Sequence, residues 1–390
     1  MPLRVSSKAA RFTESVIREM SRVCRQHGGV NLAQGFPDFA APLPMKESAQ
    51  RAIAADVNQY AVTWGAERLR HAIARRTRAY NGIPVDPDRD VTVTCGATEA
   101  MVAVMLALLD PGDEVVVFEP FYENYGPDCI LAGASPRFVS LRAPDWSFDP
   151  AELARAIGPR TRAIVVNTPH NPTGKVFSRA ELECVAELCR THDLLAITDE
   201  IYEYILYDGA EHVSLAALDG MAERTVTISG LSKTWSATGW RIGWAIAPAG
   251  LTGAIRKVHD FLTVGAPAPL QEAAADALDF GPAYFEGLAR DYAARRAALL
   301  ATLTECGFVA HVPRGAYYAM ADFRALSGLD DTAFALELVR DGGVATVPGS
   351  SFFQHRADGR HLVRFCFAKQ LATLERARTV LLERTRGVRR

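Results

Sequence analysis

The sequence predicts an α/β layer fold with a mostly parallel seven-stranded sheet, and two observations carry that expectation. Short, nearly all-apolar β-branched runs alternate with long helical patterns through the middle of the chain, as expected for strands covered on both faces. Both ends read differently, as helix followed by strands punctuated by Gly and Pro. The chain has 390 residues, and single cores stop growing near ~250–300 residues, so two substructures are expected. The boundaries fall at 41–284 for a large domain and at 1–40 with 285–390 for a smaller α+β domain built from both chain ends.

The seven strands are placed at 91–94, 114–118, 137–139, 163–167, 194–198, 225–228 and 240–246. A helix over 98–109 follows the turn at Gly96, and another over 179–192 opens at Ser178, a good N-cap residue. The smaller domain takes strands at 307–313, 316–321, 344–347 and 362–366, then a charged terminal helix.

Hydrophobic residues make up 49% and charged residues 23%, with a formal net charge of −2. That balance predicts a globular chain and argues against a nucleic-acid binder or a surface held to anionic lipid. No apolar run approaches the ~18–20 residues of a membrane span. The first fifteen residues are basic but lack the apolar segment of a secretory signal, and Glu14 and Glu19 weaken a transit-peptide reading. Seven cysteines without a C-x-x-C pair fit reduced thiols in the cytoplasm.

Residues 230–243 hold the most telling run. Lys233 lies among small residues, and Arg241 follows eight positions later. An amine so placed can condense with an aldehyde while the guanidinium holds a phosphate, which is what pyridoxal 5′-phosphate requires. A lone lysine more often sits in a solvated loop, but Trp235, Trp240 and Trp244 make these flanks apolar.

Strand ends supply the rest, because ligands in open α/β sheets collect at the carboxyl ends of strands. Ala97 and Thr98 open a helix after a small-residue turn, and free N–H groups there suit a phosphate. Asp199 closes an apolar strand. It is either a cap or ion-pair partner, or the carboxylate that keeps a pyridine nitrogen protonated. Asn171, in a Pro-rich turn, and Tyr202 are placed to bond the ring oxygen. Tyr122 and Ile201 are candidates for the two ring faces, or are simply core. Arg364 interrupts an apolar strand and needs an anionic partner: a substrate carboxylate, or an Asp or Glu of the chain itself. His170 reads as structural or as a minor contact. Dinucleotide, P-loop, nucleophile-elbow and zinc-protease motifs are missing, and no metal site is expected.

These residues resemble the fold-type I, class I aminotransferases over essentially the whole chain. The likeness is to the group with kynurenine aminotransferase (glutamine transaminase K), methionine aminotransferase and N-succinyldiaminopimelate aminotransferase. Residues 31–39, 58–60, 198–202 and 363–367 carry it. The resemblance implies that Lys233 carries the cofactor, that Asp199 faces the ring nitrogen, and that Asn171 and Tyr202 bond the ring oxygen. It also implies that Ala97, Thr98 and Arg241 hold the phosphate, and that Arg364, Asn171 and the backbone of Gly35 bind the α-carboxylate of an amino acid or 2-oxo acid. It further implies a homodimer in which Tyr60 reaches the neighbouring subunit's phosphate.

Three departures stand out. Relatives often have serine where Gly230 stands, leaving Ser229 or Ser232 as substitutes. Some kynurenine-active relatives have Phe-His at Val264-Gly265 and tryptophan near Ile17, so Trp64, Phe12 and Phe36 are the candidates for the side-chain pocket. The expected activity is amino-group transfer from an L-amino acid to a 2-oxo acid by a ping-pong mechanism. Two alternatives stay open: β-elimination at carbon–sulfur bonds or decarboxylation with the same cofactor, and a non-catalytic cofactor-sensing regulator. Only about 40 residues precede the sheet domain, which leaves little room for the DNA-binding module of such regulators.

Overall fold

The structure is a computed structural model describing residues 5–386. In chain order the strands are β1 (Val30–Asn31), β2 (Val91–Thr94), β3 (Glu114–Glu119), β4 (Ser135–Ser140), β5 (Thr161–Asn167), β6 (Leu195–Asp199), β7 (Thr225–Gly230) and β8 (Gly243–Ile246). The later strands are β9 (Val309–Ala310), β10 (Tyr318–Asp322), β11 (Val344–Ala345), β12 (Val347–Pro348) and β13 (Leu362–Cys366).

Strands β2 to β8 form one seven-stranded sheet in the order β2-β8-β7-β6-β5-β3-β4. Every pairing in it is parallel except the two made by β8. Side chains alternate across this sheet. Val115 and Val117 face the helices Ala97–Leu108, Tyr125–Ala132 and Ala249–Thr263, while Val116 and Phe118 face the opposite core with Ile164, Val166 and Leu182. Each fully buried Val or Ile stabilises the fold by roughly 1.5–3 kcal/mol relative to exposure, so both faces must be covered. A third cluster packs Trp235 and Trp244 against Met45, Leu69 and Leu278 beside β2 and β8.

The second sheet runs β12-β13-β10-β9 and is antiparallel throughout. Strand β1, near the start of the chain, pairs in parallel with β11, near its end. Both chain ends therefore meet around one small sheet system.

Three strand expectations need correction. The stretch 240–246 is strand only from Gly243, because Thr238–Trp240 is a 3-10 turn and Arg241 takes a left-handed φ of 54°. The expected strand 344–347 is two strands: β11 pairs with β1 and β12 with β13, the chain changing sheets at Thr346. The expected 307–313 shrinks to β9, since Gly307 closes the long helix Pro282–Cys306 in a left-handed conformation and Pro313 cannot donate to a ladder.

Helix Arg179–Thr191 starts where Ser178 predicts. The Ser178 hydroxyl accepts from the Glu181 N–H at 3.3 Å, and the Glu181 carboxylate accepts from the Ser178 N–H at 2.8 Å. This reciprocal box satisfies two otherwise unpaired donors. Ser178→Ala is expected to lower unfolding stability by about 1 kcal/mol, read by urea titration, with Ser178→Thr close to the parent.

Candidate active site

Five strands of the large sheet end on one side of the molecule, where a cleft of about 320 Å³ opens. Asn167 ends β5, Asp199 ends β6, Lys233 follows β7 by three residues, Tyr122 follows β3, and Ala97 follows β2; all five residues line the cleft. A volume of that size suits a small molecule with a cofactor-sized ring.

At the floor, the Tyr125 hydroxyl donates to Asp199 at 2.8 Å, and the Ile201 N–H donates to the other carboxylate oxygen. Burial nevertheless raises the Asp199 pKa above the usual carboxylate range. No cation pairs with it among the ion pairs of the described residues. A protonated ring nitrogen is the partner that such a buried acid lacks. Tyr125, the first residue of the helix Tyr125–Ala132, was missed in the sequence.

Lys233 enters from β7. Its Nζ donates to the Gly35 carbonyl at 3.3 Å and lies 5.7 Å from the ring centres of Tyr202 and Tyr317. The side chain keeps some exposure through the cleft, but the surrounding protein desolvates the amine and lowers its pKa to about 8. At neutral pH a useful fraction is therefore unprotonated and nucleophilic.

Arg241 lies against the start of helix Ala97–Leu108, which has no side-chain cap. Its guanidinium donates to Thr238 O at 2.9 Å and to Cys95 O at 3.3 Å. A Cβ on Gly96 would collide with that guanidinium, and one on Gly243 with the backbone of Gly96 and Ala97. Uncapped N–H groups, Arg241, Thr98 and Ser232 thus surround one end of the cleft, a donor set that fits a phosphate. The helix start is anchored by Glu99, whose carboxylate takes His259 Nδ1 at 2.6 Å and the Thr263 hydroxyl at 2.8 Å. Nothing in the sequence pairs Glu99 with His259, 160 positions apart.

At the other end Arg364 is 0% exposed. It donates to Asn171 Oδ1 at 2.8 Å and to the Ala33 carbonyl at 2.7 Å, while its Nε has no partner. No carboxylate pairs with it among the described residues, so of the two readings the internal Asp or Glu partner falls away. Tyr318 was not expected from the sequence. Its ring lies 4.2 Å under the Arg364 guanidinium, and burial pushes its pKa up to about 12.

Other expectations divide. Gly35, Phe36, Tyr122, Ile201, Tyr202 and Asn171 all line the cleft. Ser229 does not: its hydroxyl turns away to donate to Glu203 at 2.8 Å, leaving Ser232 as the serine at the phosphate end. Trp64 and Phe12 also lie outside the lining; the Trp64 ring sits 5.0 Å under the Arg256 guanidinium instead. Tyr60 is 86% exposed and does not line this cleft. His170 is structural: burial lowers its pKa to about 3, and Nδ1 shares a 2.7 Å bond with the Thr173 hydroxyl.

Comparison with known proteins settles the family. The sequence model of "Aminotransferase class I and II" matches residues 27–381. The chain belongs to that family. The probable N-succinyldiaminopimelate aminotransferase DapC of Mycobacterium tuberculosis is 44% identical over 382 residues, covering 95% of this chain and 96% of that protein. The solved structure of the N-succinyldiaminopimelate aminotransferase from that organism superposes with a TM-score of 0.95 at 44% identity, covering 98% of this chain and 100% of that one. Methionine aminotransferase of Escherichia coli (strain K12) is 37% identical over 377 residues, 96% of each chain. The protein is accordingly a fold-type I, pyridoxal-phosphate-dependent aminotransferase that moves an amino group from an amino acid to a 2-oxo acid in two half-reactions.

Because desolvation sets the Lys233 amine at about 8, it loses its proton above that pH and captures aldehyde faster there. Apoprotein mixed with pyridoxal phosphate is expected to gain its visible band at a rate that rises through about pH 8. A free lysine would place that rise near ~10.4, and such a midpoint contradicts the assignment.

Proposed function

We propose that Lys233, Asp199, Tyr202, Asn171, Arg241 and Arg364 perform the aminotransferase reaction in the roles their places in the cleft suggest. When bound, pyridoxal phosphate accepts the electrons released at the donor's α-carbon. Asp199 would hold the ring proton, Asn171 and Tyr202 the ring oxygen, and the Ala97 and Thr98 N–H groups with Ser232 and Arg241 the phosphate. Ile201 and Tyr122 would enclose the ring faces. The Lys233 Nζ then takes the proton from the donor's α-carbon as general base and returns it as general acid, a role its lowered pKa favours.

One observation carries this reading most directly: a fully buried arginine without an acidic partner opens on the same cleft as a desolvated lysine. An unpaired buried charge is costly, and the α-carboxylate of an amino acid or 2-oxo acid relieves that cost while placing the α-carbon between the two residues.

The donor's side chain would run past Ile17 and Phe36 towards Ser15, Arg18 and Glu123 at the mouth. Glu123 already accepts from the Ser15 hydroxyl, whereas Arg18 has no ion-pair partner among the described residues. An extended donor with an acidic end suits this wall, as the name of the mycobacterial relative, N-succinyldiaminopimelate aminotransferase, also suggests. The apolar stretch formed by Ile17 and Phe36 also suits a methionine-type donor, which is the second reading. A homodimer is supported by exposed Tyr60 (86%) and Phe261 (92%), with Tyr60 reaching the partner's phosphate. Seven free thiols support a cytoplasmic location.

Lys233→Ala is expected to abolish turnover while far-UV circular dichroism and thermal melting stay close to the parent; normal activity removes Lys233 from the mechanism. Half-reaction spectra against a panel of donors are expected to show N-succinyl-diaminopimelate reacting faster than methionine, with Arg18→Ala raising KM for the acidic donor alone. The reverse order favours the methionine reading, and pyruvate with ammonia as products favours a lyase.

A further inference from the structure

Tyr318 joins the two halves of the cleft in a way that the reaction as described leaves unused. It stands on β10 directly opposite Cys366 on β13, two residues from Arg364, and its hydroxyl shares a 3.1 Å hydrogen bond with that of Tyr202. The two rings meet edge to face at 5.9 Å. Its ring also lies beneath the Arg364 guanidinium at 4.2 Å. The close approach depends on Gly35, because a Cβ there would occupy the space of the Tyr318 hydroxyl. Tyr317, its neighbour, packs its ring on those of Tyr202 and Tyr318 at 5.0 and 4.9 Å, but its hydroxyl donates to the Gly35 carbonyl at 2.8 Å.

We propose that Tyr318 is a positioning residue that donates a hydrogen bond to the Tyr202 hydroxyl and so strengthens Tyr202 as a donor to the cofactor's ring oxygen. This rests on the placement of Tyr202 given above. A phenol has one proton. If Tyr202 gives it to an oxygen in the cleft, its own oxygen is left with free lone pairs, and the O–H within 3.1 Å is that of Tyr318. Burial keeps both phenols protonated at neutral pH, so both have a proton to give. A bond received at oxygen polarises the O–H, and chains of such bonds reinforce one another.

The sign of the effect follows. Donation from Tyr202 would favour the ring oxygen in its anionic form and so lower the pH at which the bound cofactor gives up its proton. Removing the Tyr318 hydroxyl weakens the donation, so that proton is retained to higher pH. The ring of Tyr318 also touches Arg364, so a carboxylate settling on Arg364 acts on the same phenol that braces Tyr202.

The test is a spectroscopic pH titration of the holoenzyme. Tyr318→Phe keeps the ring under Arg364 and removes only the hydroxyl. The midpoint of the visible-band transition is expected to rise by about 0.4–1.1 pH unit, the scale of one neutral hydrogen bond. The same substitution in a Tyr202→Phe background is expected to leave the midpoint unchanged, since coupled groups do not add. An unmoved midpoint in the single variant overturns the proposal, as does an equal shift in both backgrounds. A parent protein that binds no coloured cofactor at all sinks the underlying reading of the cleft instead.

Discussion

Charge held away from water is the constraint that the rest of this structure answers to. Asp199, Lys233, Arg241 and Arg364 all reach one cleft, and each is expensive to desolvate alone. The fold keeps them apart by rigid elements rather than letting them neutralise one another. Asp199 is fixed by Tyr125 and the Ile201 N–H, Arg241 by the carbonyls of Thr238 and Cys95, and Arg364 by Asn171 and Ala33. Neutral partners orient these groups without cancelling them. The site therefore stays attractive to a molecule that brings a cationic ring, a phosphate and a carboxylate in the right order. Preorganisation of this kind costs folding stability and is recovered on binding.

The large sheet was legible because its strands are apolar on both faces and end in chemically distinctive residues. A continuous run such as 163–167 has few other readings, and Asp199 or Lys233 at such an end stands out. Arg364 was legible for a related reason: a charge inside an apolar strand demands an account. The second sheet and the β1–β11 pair were harder. Their strands are two to five residues long, and the switch between sheets at Thr346 leaves no periodic trace, because pairing there is decided by β1 and β13, far away in the chain.

Within the cleft, sequence reasoning found the groups that differ from their surroundings and missed those that blend in. Tyr125 and Tyr318 look like core aromatics until their hydroxyls are located. Ser229 and Ser232 are equally plausible from spacing alone, and strand geometry separates them: Ser229, still within β7, faces Glu203, while Ser232 lies beyond the strand end. Trp64 and Tyr60 illustrate a different difficulty. Neither lines the cleft: Trp64 packs on Arg256 and Tyr60 is exposed, and spacing alone does not tell such aromatics from pocket residues.

Around the substrate end, the segment 33–38 is turned by Asn31, which accepts from the Ala33 and Gln34 N–H groups, and is tied down by residues from far along the chain. Arg364 binds the Ala33 carbonyl, Lys369 Nζ binds that of Phe36 at 2.7 Å, and Thr373 donates to Asp38 at 2.6 Å. During synthesis the carbonyls emerge early and their tethers last. The cradle for the phosphate, encoded between them, has all its parts before the carboxylate seat can close. The segment that presents the Ala33 and Phe36 carbonyls can therefore take its final place only once residues 364–373 have folded against it.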